Sequence, residues 1–82
     1  MNDPGLESLL GRRITGAIIK KARQVGSNPS AQLFLILDDG TYAEVYAHVG
    51  GLVFSLPYPG GAPEVRKYMD VSMETVREAY LR

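Results

Sequence analysis

The 82-residue chain contains no cysteine. That excludes disulfide staples and thiolate metal sites. A chain this short without staples must hold together through a well-filled core or a partner chain. It has one histidine, His48. A zinc centre needs three or four ligands drawn from His, Cys, Asp and Glu, so no metal or cofactor is expected. Charge of one sign is also lacking: nine basic and nine acidic residues give a formal net charge of zero. That disfavours a dedicated nucleic-acid binder, whose affinity comes largely from neutralising phosphates. It also removes the repulsion that keeps small proteins apart, which favours self-association. No apolar run is long enough to cross a bilayer. Asp3 and Glu7 precede or interrupt the N-terminal leucines, where a secretory leader would carry basic residues. The expected compartment is the cytoplasm, with no membrane partner.

What is present suits a single globular domain, residues 1–82: 45 % hydrophobic and 22 % charged. Asp3-Pro4 reads as a helix start, with Leu6, Leu9 and Leu10 on one face and Gly11 as a stop. A short helix over 4–10 is expected. Residues 12–23 read as the first strand, since Ile14, Gly16 and Ile18 alternate with Arg13, Thr15 and Ala17. Gly16 and the Ile18-Ile19 doublet point to a bulge or bend. Gly26, Asn28 and Pro29 mark a loop.

Residues 31–56 carry the clearest signal, three strands in a row. Leu33 to Leu37 and Tyr42 to His48 flank Asp38-Asp39-Gly40-Thr41. Asp39-Gly40 suits a two-residue type I′ turn, which sets Ile36 opposite Ala43 and Phe34 opposite Val45 on one face. The other face then holds Leu33, Leu35, Leu37, Tyr42, Glu44 and Tyr46. Gly50-Gly51 offers a second turn before a strand over 52–56. The proline-rich stretch 57–63 ends the sheet in this reading. Two helical pieces follow, one with Val65, Tyr68 and Met69 on a stripe, one capped by Ser72 with Met73, Val76, Ala79 and Tyr80 on a stripe. The expected fold is α+β: a short N-terminal helix, a four-stranded antiparallel meander, and a C-terminal helix covering one face. The alternative is a small SH3-like barrel.

Catalytic constellations are sparse. Glu44, Tyr46 and His48 share a strand face, yet Glu44 and His48 lie about 13 Å apart on an extended chain. They form no dyad, and His48 reads as a strand-end residue. The glycine pairs at 50–51 and 60–61 lack the lysine, serine or threonine of a phosphate loop. Arg12, Arg13, Lys20, Lys21 and Arg23 cluster in the first strand. They read as protection of an edge strand, or alternatively as a nucleic-acid contact with Tyr42 and Tyr46 as stacking platforms.

A sheet with two apolar faces leaves one uncovered, because the chain has helix for only one. Leu33, Leu35, Leu37, Tyr42 and Tyr46 are therefore the expected protein interface. The expectation is a non-enzymatic binding or assembly module, an adaptor or regulatory protein, working as a homodimer or with another protein. The alternative is a nucleic-acid-binding protein using the basic first strand.

Overall fold

The computed structural model describes residues 3–26, 30–48, 50–67 and 72–81. It is an antiparallel sheet of six strands with two short helices. Helix α1 (Pro4–Glu7) begins where Asp3 accepts a hydrogen bond from the Leu6 N–H at 3.1 Å, with Pro4 in the first turn. Strands β1 (Ile14–Ala22), β2 (Ala31–Leu37), β3 (Thr41–His48) and β4 (Gly51–Phe54) form the expected four-stranded meander. A two-residue strand β5 (Tyr58–Pro59) follows, then helix α2 (Gly61–Lys67) and strand β6 (Met73–Tyr80). The strand order is β4-β3-β2-β1-β6, with β5 beside β3, so the sheet is open and the barrel alternative does not apply.

The largest correction concerns the C-terminus. The segment expected as a helix capped by Ser72 is β6, paired along β1 from Ala22↔Met73 to Gly16↔Tyr80. Met73, Val76, Ala79 and Tyr80 fit a helical stripe, but β1 offers a whole row of backbone donors and acceptors that a helix there would leave unmet. Pairing decides over local pattern. It also corrects the edge-strand reading of β1, which is flanked by β2 and β6 and is interior. The edge is β6, and there Glu74, Arg77, Glu78 and a register shift opposite Ile19 and Lys20 discourage further pairing.

A second correction is the β2–β3 register. The observed pairs are Ile36↔Tyr42, Leu35↔Ala43, Phe34↔Glu44, Leu33↔Val45 and Gln32↔Tyr46, one residue away from the type I′ expectation. The connection has three residues, Asp38 to Gly40. The Gly40 N–H donates to the Leu37 carbonyl at 3.2 Å and Gly40 takes a φ of +83°. This is a turn centred on the two aspartates, closed by a left-handed glycine. Asp39 fixes it by accepting from the Thr41 N–H at 3.0 Å and the Thr41 hydroxyl at 2.6 Å. These bonds hold its carboxyl below the ordinary range, Thr41 contributing most. A one-residue slip turns every side chain of a strand to the other face, and it is what moves Tyr42 into the core.

The register shift in β1 falls between Ile14 and Gly16, as its glycine suggested. A Cβ on Gly16 would sit 2.7 Å from the Tyr80 ring, which lies over it. The 57–63 stretch does not end the sheet: Thr41↔Pro59 and Tyr42↔Tyr58 continue it along β3, at an edge where proline is tolerated. Asn28, Pro29, Tyr68 and Met69 of the expected loop and helix lie outside the described residues.

The core sits under α2. Val65 packs with Ile18, Phe34, Ile36 and Tyr42, and Ala62 closes against them. The Tyr42 ring lies between Phe34 and Tyr58, with centroids at 6.2 and 5.5 Å. Lys20 is fully buried beside this core, and its Nζ donates to the Arg66 carbonyl at 3.1 Å. It thus satisfies one of the C-terminal carbonyls that α2 leaves without an internal donor. Helix α1 packs against β4 at the far side, where Gly5 meets the Phe54 carbonyl with no space for a side chain.

Candidate interaction surface

Neighbouring strands place directly paired residues on the same face. Two rows therefore cross the side of the sheet opposite α2. The first is Phe54–Val45–Leu33–Ile19–Arg77, the second Ala43–Leu35–Ala17–Ala79. Every member except Arg77 is apolar. Burial along β1 and β2 alternates strictly through these rows. Ile18, Lys20, Gln32, Phe34 and Ile36 are buried on the α2 side, while Ala17, Ile19, Leu33 and Leu35 between them stay partly exposed. Ala43 is itself buried, so the open part of the face centres on β1, β2 and β6.

The two sides of the sheet meet at the Ile14 end of β1. Thr15, Gly16 and Tyr80 with four residues of the open side, Ile14, Ala17, Ala79 and Leu81, line a shallow depression of about 270 Å³. Ile14 and Leu81 are both about half exposed.

Of the five residues expected at the interface, Leu33 and Leu35 lie on this face. Tyr42, 4 % exposed, is in the core under α2. Leu37, at the turn end of β2, is 2 % exposed. Tyr46 pairs with Gln32 and faces the helix side, half-buried. Ile19, Ala17, Val45 and Ala79 join the surface although the sequence reading did not name them. The Ile18-Ile19 doublet was the available signal: in a strand with both sides apolar, adjacent isoleucines serve opposite faces.

The five basic residues of the first strand are scattered. Lys20 is in the interior. Arg12 pairs with Asp39 at 3.5 Å and Arg23 with Glu74 at 3.4 Å, at opposite ends of β1. Arg13 and Lys21 are exposed, also at opposite ends. His48 is exposed at the end of β3, whereas Glu44 is buried. Among the described residues no three His, Asp or Glu side chains gather to hold a metal ion.

On the α2 side, Arg66 ties the helix to β6. Its Nε donates to Glu78 at 2.8 Å, its guanidinium donates to the Tyr80 hydroxyl at 2.8 Å, and it lies 5.5 Å from the Tyr80 ring centre. The Tyr80 hydroxyl in turn donates to Glu78. Tyr80 and Arg66 together hold the Glu78 carboxyl below its ordinary range, Tyr80 contributing most. Desolvation and then Glu78 push the Tyr80 phenol up.

Neither a scan against protein-family models nor searches of curated proteins and of solved structures return a match.

Proposed function

We propose that the protein is a non-enzymatic binding and assembly module that self-associates through the sheet face opposite α2. The observation that carries this reading is the alternation in β1 and β2. Buried residues on the helix side alternate with partly exposed Ala17, Ile19, Leu33 and Leu35 on the other. Apolar side chains gathered on one sheet face and left partly in water mark an interaction surface. Burying what remains exposed contributes roughly 25 cal/mol per Å² before association costs. The zero net charge supports a second copy as the occupant, since nothing repels it. The nucleic-acid alternative lacks a contiguous basic patch to rest on, because Lys20 is buried and Arg12 and Arg23 each face a carboxylate.

Sedimentation velocity across the micromolar range tests the proposal. A concentration-dependent dimer that Leu35→Lys abolishes without unfolding the protein is the expected result. A wild-type chain that stays monomeric throughout would overturn it. Salt-sensitive binding to a DNA or RNA duplex by that monomer would favour the alternative instead.

A further inference from the structure

We infer that the C-terminal half of β6, Arg77 to Tyr80, is a releasable clip that opens off β1 while the rest of the sheet stays folded, with Arg66 of α2 as its fastener. The clip works within one chain, independently of self-association. The β1–β6 register shifts between Ile19 and Lys20. Ile19 pairs with Arg77 and Lys20 with Thr75, so Val76 has no opposite residue. Such a bulge interrupts the ladder and divides β6 in two. The half before it is anchored: Met73 is 2 % exposed, and the Arg23 N–H donates to the Ser72 carbonyl at 2.9 Å. The half beyond it is exposed at every residue. Among the described residues, the core cluster of Ile18, Phe34, Ile36, Tyr42 and Val65 takes nothing from β6.

Backbone pairing and one side-chain fastening hold the clip. The Leu81 N–H donates to the Thr15 carbonyl at 2.8 Å. Donors alternate along an antiparallel strand, so the Ala79 and Arg77 N–H groups also turn toward β1. Arg66 reaches across from α2 to Glu78 and to the Tyr80 hydroxyl, at 2.8 Å each. The Tyr80 ring lies over Gly16, where an added Cβ would come within 2.7 Å of it. Exposed ion pairs and hydrogen bonds of this kind hold only weakly. Segments with few buried apolar contacts open at lower free energy than the core. Helix α2 stays behind when the clip leaves, because Val65 is sealed in the core and Lys20 holds the Arg66 carbonyl. Opening then uncovers the β1 backbone edge from Thr15 to Ile19 and leaves the sealed side intact.

Native-state hydrogen exchange on the full chain in dilute solution, resolved residue by residue, tests the clip. The Ala79 and Leu81 amides are expected to be about tenfold or more less protected than those of Glu74, Phe34 and Ile36. Their opening should also be nearly insensitive to low denaturant, since little surface is exposed. Arg66→Met keeps the stem and withdraws the guanidinium. It is expected to speed exchange at Ala79 and Leu81 by about two- to fivefold and to leave Phe34 and the Val65 amide of α2 unchanged. Gly16→Ala crowds the Tyr80 ring from β1 and is expected to act in the same direction without touching α2. Ala79 and Leu81 exchanging together with Phe34 would overturn the clip. Glu74 exchanging as fast as Ala79 would remove the bulge as its boundary and overturn it too. Arg66→Met leaving Ala79 and Leu81 unchanged, or speeding Val65 equally, would overturn the role of Arg66.

Discussion

The two sides of one sheet have been put to different uses. On one side Ile18, Phe34, Ile36 and Tyr42 are sealed by Val65, and the same side buries the polar Lys20, Gln32 and Glu44. On the other side Ala17, Ile19, Leu33 and Leu35 are as apolar, or more so, yet remain partly exposed. Apolar character alone therefore does not say which side is interior. Helix α2 seals one side along Ile18, Phe34, Ile36 and Tyr42, while the other side is closed at Leu37 and Ala43 and partly open at Ala17, Ile19, Leu33 and Leu35. The same side as the helix also takes in Lys20, whose Nζ donates to a helix-end carbonyl.

Substitutions that exchange the two sides' roles should separate stability from association. The largest effect is expected from Phe34→Ala, which empties the sealed side and should cost about 3–5 kcal/mol of unfolding free energy. The matching Leu33→Ala, one residue away on the open side, should cost about 1 kcal/mol or less. Denaturant unfolding of the two variants at low protein concentration checks the pair; equal losses would erase the distinction between the sides.

Lys20→Met comes next. It keeps the stem but withdraws the donor from the Arg66 carbonyl, and should cost about 1–3 kcal/mol. The change should appear first as faster amide exchange in α2. A variant as stable as wild type would show that the Nζ donor contributes nothing to holding the helix.

The smallest effect concerns the exposed clamp of Arg66, Glu78 and Tyr80. Glu78 has a lowered carboxyl pKa in the folded protein, so its contribution is present above the ordinary glutamate range and is lost as pH falls through the folded value. The stability difference between wild type and Glu78→Gln should therefore be visible near neutral pH and vanish in acid. Solvent screening keeps it small. A difference that grows in acid would contradict the clamp.

Much of this arrangement was legible in the residues. The Asp3-Pro4 cap, the turn glycines Gly40 and Gly50, and the runs from Leu33 and Tyr42 place α1 and β1 to β4. The open apolar side was also legible, through Leu33 and Leu35. Its full membership was not, because membership depends on register. Asp38 joins the turn, since Asp39 bonds to Thr41 as an alternative to a tighter hairpin, and that single residue exchanges Tyr42 for Val45 between the sides. β6 was illegible for a different reason. Eight residues can satisfy a helical stripe and a strand equally well, and the choice is made by the vacant edge of β1, which is far away in sequence. Lys20 reads as a surface charge from sequence because the Arg66 carbonyl that receives it lies 46 residues away.

The most direct test of the two-sided account is a dilution series followed by methyl NMR. The methyl resonances of Ile19, Leu33 and Leu35 should shift together as concentration rises, while those of Ile18, Ile36 and Val65 stay fixed. Shifts confined to the sealed set, or a spectrum unchanged up to high micromolar protein, would contradict it.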